Sequence, residues 1–182
     1  MSWLRAHRLR GARVRALTLI RPMAAAIVHG SKRIENRPRD LPRAMKGVPT
    51  IVAVHAGKGW DETYARIIEM IDGRIGGVHE RRVPWYADHL KDEGIVGLMR
   101  LTGRVYTHRD GRAARRYYLD GVEWVLGDRW YSGPFGYEID RVLAFPKPIE
   151  CRGMQGWWPL PAHIEEMISA SGAVDDLCRE AE

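Results

Sequence analysis

The order of apolar and polar residues predicts short strands with helices between them. Residues 17–20 form a short apolar run, and residues 49–55 are rich in β-branched side chains, so both are typical of buried strands. Met23–Val28 is apolar throughout and follows Pro22, a residue favoured in the first turn of a helix, while Gly30 can end that helix. The pattern therefore predicts a strand, a helix and a further strand.

The rest of the chain continues this alternation. Asp61 is a good N-cap for a helix to about Asp72, with Ile67, Ile68 and Ile71 as its buried stripe and Gly73 beyond its end. The glycines of residues 56–59 predict a turn. The remaining predicted elements are a short helix in residues 85–90, a strand over 95–106, an exposed hairpin or loop over 108–116, and terminal helices over 162–170 and 174–181.

These elements predict an α+β fold, a small mixed or antiparallel barrel with peripheral helices. A chain of 182 residues is long enough for one sizeable core without a second one. We expect three parts: a basic N-terminal arm over residues 1–15, a folded domain over residues 16–161, and a C-terminal helical tail over residues 162–182. The tail either caps the domain or supports self-association, and the sequence does not choose the oligomeric state.

Several classes of protein are disfavoured by the composition. No stretch approaches the roughly 20 apolar residues that span a bilayer, and the N-terminus lacks a secretory signal, so we expect a cytoplasmic protein with no membrane partner. The two cysteines, Cys151 and Cys178, indicate neither a disulfide framework nor structural zinc. We expect no metal site and no cofactor. His55, in an apolar strand, either approaches the charged segment described below or is a packed, hydrogen-bonded histidine.

Charge is distributed unevenly along the chain. Residues 1–60 contain 13 Lys or Arg and 2 acidic residues, a net charge of +11, whereas the remainder contains 16 and 21, a net charge of −5. A basic half is typical of nucleic-acid binding, because neutralising phosphates supplies most sequence-independent affinity; acidic ligands are the second possibility. The N-terminal arm is then a phosphate contact, a solvated terminal helix, or sequence ahead of a domain that begins near Val14. Its arginines are Arg5, Arg8, Arg10, Arg13 and Arg15.

Residues 30–37, Gly-Ser-Lys-Arg-Ile-Glu-Asn-Arg, are the strongest candidate site. If Ile34–Arg37 is extended, Glu35 and Arg37 share one face of the strand, with Lys32 at the preceding turn. Such a group can hold an anion with its cations while the carboxylate accepts hydrogen bonds from an exocyclic amine. The alternative is a surface ion-pair cluster on a turn.

This segment resembles the signature G-x-K-x-x-E-x-R of the ASCH family, a branch of the PUA-like superfamily. Gly30, Lys32, Glu35 and Arg37 match its four positions. Further similar pieces follow in the family's order at residues 94–101, 124–126, 146–148 and 153–158, so the resemblance covers roughly residues 16–161. It implies a PUA-like barrel whose cleft is lined by the signature, and a role in recognising RNA or nucleotides.

We therefore predict a binding protein for RNA or another nucleic acid, or for a nucleoside, with a modified base as one option. Glu35 would accept a hydrogen bond from an amine, and Lys32 or Arg37 would contact a carbonyl or a phosphate. Aromatic residues beside the turn at residues 132–134 would either stack on a base or pack in the core. The candidate nucleic-acid contacts are Arg21, Lys32, Glu35, Arg37, Trp130 and Tyr131.

The alternative is a small hydrolase. Some ASCH proteins that this chain resembles hydrolyse acetylated cytidine with a lysine at the position of Lys32, and others are ribonucleases. In that case Lys32 and Glu35 are the candidate catalytic residues, with Glu123 or Asp128 as a second acid. The chain departs from the amidohydrolase pattern, because Glu35 stands where those enzymes have a threonine nucleophile.

Overall fold

A computed structural model describes residues 13–74, 83–107, 115–119, 122–126 and 130–178. The strands are β1 (Arg15–Arg21), β2 (Ile34–Arg37), β3 (Thr50–Trp60), β4 (Gly73–Arg74), β5 (Val83–Pro84), β6 (Gly94–Thr107), β7 (Arg115–Leu119), β8 (Val122–Leu126), β9 (Phe135–Ile149) and β10 (Trp157–Pro159). The helices are α1 (Met23–Val28), α2 (Glu62–Asp72), α3 (Ala162–Ala170) and α4 (Ala173–Cys178). Arg43–Met45 and Ala87–His89 are short 3₁₀ turns.

Six of these strands form one mixed sheet in the order β10-β1-β3-β6-β9-β2. Strand β1 is parallel to β3, β10 is antiparallel to β1, and β2 is antiparallel to β9. The pairs β4-β5 and β7-β8 form separate two-stranded ribbons. The predicted α+β class is confirmed. Within the described residues the sheet is not closed into a barrel, so the PUA-like barrel stays a prediction.

The chain divides into two compact units. Unit 1 comprises Met1–Ser31, Ile51–Arg100 and Arg141–Glu182, and unit 2 comprises Lys32–Thr50 and Leu101–Asp140. Strands β6 and β9 contribute residues to both units. The division between Ser31 and Lys32 falls inside the charged segment, so its glycine belongs to unit 1 and its four ionic residues belong to unit 2.

The core of unit 1 is built from strand residues and from the two C-terminal helices. Ala16 of β1 and Ala53 of β3 are fully buried, and Ile164 and Ile168 of α3 pack in the same cluster. Burying a side chain of that size contributes about 1.5–3 kcal/mol. Trp158 is also buried there. The predicted C-terminal tail is thus part of this core.

Most predicted elements are confirmed, and one prediction is wrong. Helix α1 and strand β2 have the predicted bounds. The predicted turn at residues 56–59 is instead part of β3, which pairs with β1 as far as Trp60. A Cβ on Gly57 would lie 3.0 Å from Thr18 Cγ2 and 3.2 Å from the Leu19 carbonyl oxygen. Gly57 therefore allows a close approach between strands rather than a turn.

Three other predictions are met in part or lie outside the described residues. The short helix expected in residues 85–90 is only the 3₁₀ turn Ala87–His89. Arg115 and Arg116 of the expected loop begin β7, and residues 108–114 are outside the described chain. Residues 1–12 of the arm and Asp128 are also outside it.

In the part of the chain that the structure describes, no helix is both long enough and apolar enough to span a bilayer.

The N-cap of α2 gives a direct test of the local prediction. Asp61 Oδ1 accepts hydrogen bonds from the backbone N–H groups of Thr63 and Tyr64, at 2.8 and 3.3 Å. We expect Asp61→Ala to lower the free energy of unfolding by about 1 kcal/mol, because both donors lose their acceptor. Asp61→Asn keeps an acceptor oxygen and should stay close to wild type. Urea unfolding checks both, and equal losses in the two variants would contradict the capping role.

Candidate functional site

The centre of the candidate site is a buried ion pair in unit 2. Lys32 Nζ lies 2.9 Å from Glu35 Oε2, and it also donates a hydrogen bond to the carbonyl oxygen of Ile34. Lys32 is 3% exposed and Glu35 is 5% exposed. Removing the charge of Glu35 would leave the buried Lys32 ammonium without this opposite charge, which costs several kcal/mol in proteins.

Arg37 completes the group from the other side of the carboxylate. Alternation along β2 puts Arg37 on the same face as Glu35, and Arg37 Nε lies 3.0 Å from Glu35 Oε1. The Arg37 side chain is 24% exposed, compared with 7% for that of Glu35. Lys32, Glu35 and Arg37 are called the charged triad below. Both oxygens of its single carboxylate contact a cation, and Arg37 is its member with the most exposed side chain.

The segment that follows the triad carries further positive charge. Residues 32–50 contain six Lys or Arg and two acidic residues. Lys46 forms an ion pair with Asp40, whereas the side chains of Arg39 and Arg43 are exposed. Arg104 of unit 2 also has a side chain that is 77% exposed. The surface of this unit is therefore suited to contacts with an anionic ligand.

Tyr137 lies opposite Glu35 in the register of β2 and β9. It is 2% exposed, and its hydroxyl donates to the carbonyl oxygen of Arg39 at 2.5 Å. Burial raises the pKa of Tyr137 to about 12; Arg37 opposes the rise, while Asp40 and Glu35 add to it. The sequence analysis does not single out Tyr137, because the register that pairs it with Glu35 is not visible in the sequence.

Trp130 and Tyr131, the two candidate stacking residues, are buried in unit 2. They are 3% and 7% exposed, so neither ring is open to solvent in this conformation. Asn36 holds their loop through both ends of its amide: Nδ2 donates to the Trp130 carbonyl at 2.7 Å, and Oδ1 accepts from the Ser132 N–H at 3.0 Å. This geometry fits the core alternative for the two aromatic residues, and stacking on a base stays a prediction.

The glycine of the motif lies in a second cluster, within unit 1. Asp72, at the end of α2, accepts hydrogen bonds from the Ser31 N–H at 3.0 Å, from the Ser31 hydroxyl, and from the Tyr86 hydroxyl at 2.6 Å. A Cβ on Gly30 would lie 2.5 Å from Asp72 Oδ2 and 2.6 Å from the Tyr86 hydroxyl. Only glycine therefore fits at position 30, because a side chain would collide with Asp72 and Tyr86. We call Gly30, Ser31, Asp72 and Tyr86 the Asp72 clamp.

Sequence reasoning missed Asp72 and Tyr86, although Asp72 carries a signal. A carboxylate in the last turn of a helix faces the negative end of the helix dipole, so its presence there indicates hydrogen-bond donors from elsewhere. Asp72 is 5% exposed and has three such donors. Burial, with the hydrogen bond to Asp72, raises the pKa of Tyr86 well above its ordinary value, so this hydroxyl remains a donor.

Arg21 and His55 lie in unit 1, whereas the charged triad lies in unit 2. The Arg21 guanidinium donates to the carbonyl oxygens of Lys58 and Lys91, at 2.5 and 3.1 Å, and lies 2.7 Å from Glu93 Oε1. Its role as a nucleic-acid contact stays a prediction. His55 Nε2 lies 3.0 Å from the Cys151 carbonyl oxygen, and its ring meets Trp158 edge to face. His55 thus follows the packed alternative.

Comparison with known proteins leaves the family of this chain open. No protein-family model matches it, and no curated protein has a significant match to it. The resemblance to ASCH proteins therefore rests on the residues of the chain, chiefly Gly30, Lys32, Glu35 and Arg37.

The tight contact at Gly30 predicts a large effect for a small substitution. We expect Gly30→Ala to lower the free energy of unfolding by about 1–3 kcal/mol, because the added methyl group forces Asp72 and Tyr86 apart. Gly59→Ala is the matched control, since its Cβ would lie 3.6 Å from Ile20, an ordinary van der Waals distance. Urea unfolding of both variants measures the difference. Equal stabilities would show that the clamp has room for a side chain.

The raised pKa of Tyr137 predicts a loss of stability at high pH. The Tyr137 hydroxyl ionises near pH 10 in the unfolded chain but near pH 12 in the folded protein. Its neutral form therefore stabilises the fold fully below pH 10, and this stabilisation is lost as the pH rises to 12. The stability advantage of wild type over Tyr137→Phe should therefore shrink between pH 10 and pH 12. Urea unfolding across this range measures it. A difference that does not vary with pH would contradict the assignment.

Proposed function

We propose that this chain is a nucleic-acid-binding protein of the ASCH, PUA-like type, which recognises RNA or a modified base through the charged triad. The observation that carries the proposal is the buried carboxylate of Glu35 between Lys32 and Arg37. The basic segment that follows the triad would supply electrostatic attraction for the phosphates of the nucleic acid. The complete PUA-like barrel and a cytoplasmic location are part of this proposal.

The charged triad contributes little net free energy if its only role is to stabilise the fold. Desolvating charges often costs as much as their attraction returns, and apolar residues of similar volume are frequently as stable. Lys32 and Glu35 are nevertheless both more than nine-tenths buried. Buried charged groups in contact with one another are enriched at functional sites. This supports a role in recognition.

An exchange of partners at Glu35 would give base recognition. Arg37 Nε now occupies Glu35 Oε1 at 3.0 Å, and Arg37 is the partly exposed member of the triad. An exocyclic amine of a base would take the place of Arg37 at this oxygen, because its N–H group can donate a hydrogen bond to the carboxylate. The guanidinium released would then contact a carbonyl or phosphate of the ligand. Lys32 would hold the carboxylate in position throughout.

Phosphate contacts would come from exposed cations beside the triad. Arg39 and Arg43 follow β2 directly, and their side chains are exposed. Contacts of this type release counterions, so they make binding depend on salt without specifying a base. The arginines of the N-terminal arm would add further salt-dependent contacts with phosphates.

A direct test is binding of the purified chain to a mixed panel of RNA and nucleosides that includes acetylated cytidine, with mass spectrometry of both retained ligand and product. We expect RNA retention that weakens as salt rises. Arg37→Ala should weaken retention by about tenfold to a hundredfold, since a charge-assisted contact is worth about 1.5–3 kcal/mol. Arg66→Ala, which removes an exposed arginine of α2, is the matched control and should bind like wild type.

Two outcomes of this experiment would contradict the proposal. If the chain retains no RNA at low salt while circular dichroism shows an intact fold, the proposal of nucleic-acid binding is wrong. Deacetylated cytidine or cleaved RNA that is formed by wild type but not by Glu35→Gln or Lys32→Ala would instead make the chain a hydrolase. Glu35→Gln preserves the shape of the side chain, so it separates lost chemistry from lost folding better than Lys32→Ala.

A further inference from the structure

A group of metal-ligating side chains lies in unit 1, apart from the charged triad of unit 2. One ligand atom from each of His29, His89 and Asp92 can be chosen so that all lie within 4.8 Å of one another. The two imidazole rings stack with centroids 4.0 Å apart and planes 11° apart. His89 Nδ1 lies 2.9 Å from Asp92 Oδ2. Among the described residues, this is the one group of three or more such ligands.

Backbone hydrogen bonds hold both segments that supply these ligands. His29 caps the C-terminus of α1, where its N–H donates to the Ala25 carbonyl at 2.8 Å. Trp85 Nε1 donates to the His29 carbonyl at 3.2 Å. The Asp92 N–H donates to the His89 carbonyl at 3.2 Å, so the second and third ligands share one turn. Much of the entropy of bringing residues 29 and 89–92 together is therefore lost on folding.

The geometry of the cluster suits a metal ligand set. Imidazole nitrogens and carboxylate oxygens are both common ligands of transition-metal ions. A metal ion at this site would contact the two atoms that now form the hydrogen bond between His89 and Asp92. The side chains of His89 and Asp92 are 44% and 28% exposed, which leaves room for the small rotations that bring three ligands onto one ion.

We propose that His29, His89 and Asp92 form a site for a divalent transition-metal ion such as Zn²⁺ or Ni²⁺. Two imidazoles and one carboxylate suit these ions, whereas Mg²⁺ and Ca²⁺ prefer oxygen ligands throughout. Three protein ligands leave at least one position for water or an external ligand. The sequence analysis expects no metal site, because His29 lies far along the chain from the pair His89 and Asp92.

Isothermal titration calorimetry of the tag-free full-length chain with ZnCl₂, after removal of metals with EDTA, tests this site. We expect binding of one Zn²⁺ per chain. His29→Ala, His89→Ala and Asp92→Asn should each weaken binding about tenfold or more. MgCl₂ should give no binding at the same concentrations.

Two further measurements make the test specific to the cluster. His163→Ala removes an exposed histidine of α3 and should leave Zn²⁺ affinity unchanged. Ni²⁺ should quench the fluorescence of Trp85, which is 53% exposed and bonded to the His29 carbonyl, and this quenching should be absent in Trp85→Phe. Absence of Zn²⁺ binding overturns the proposal. So does binding to His89→Ala and Asp92→Asn, folded by circular dichroism, as tight as that of wild type.

Discussion

The buried carboxylate of Glu35 is the interaction on which the geometry of unit 2 depends. One oxygen contacts Lys32 and the other contacts Arg37, in a position that is 5% exposed. This requirement fixes the register of β2 against β9, where Glu35 faces Tyr137. A slip of one residue would move Glu35 to the opposite face of the strand and put Ile34 among the charges. The register of the strand and the site are therefore set by the same contact.

A second buried carboxylate has the corresponding role in unit 1. Asp72 accepts from the backbone and hydroxyl of Ser31 and from Tyr86, and it excludes any side chain at position 30. The motif is thus held at its glycine by one acid and at its lysine by another. The two acids differ in chemistry, since Asp72 has neutral donors and Glu35 has cations. Only Glu35 therefore has a charged partner, Arg37, that a polar ligand can displace.

Local signals in the sequence were sufficient for features that depend on neighbouring residues. The apolar run of α1, the alternation of β2 and the Asp61 cap act within a few residues, and all three are confirmed. Features that depend on distant residues were missed or wrong. Gly57 was assigned to a turn because its contact with Thr18 is not encoded locally. The same reason hides the partners of Asp72, the burial of Trp130 and the approach of His29 to His89.

Mapping where RNA contacts the chain tests the central claim most directly, because the claim specifies a location as well as an activity. Ultraviolet cross-linking of bound single-stranded RNA, followed by mass spectrometry of the attached peptides, gives this location. Cross-links concentrated in residues 32–46 and lost at high salt are the predicted result. Cross-links confined to the described residues of unit 1, or RNA binding that Arg37→Ala leaves unchanged, would contradict recognition through the charged triad.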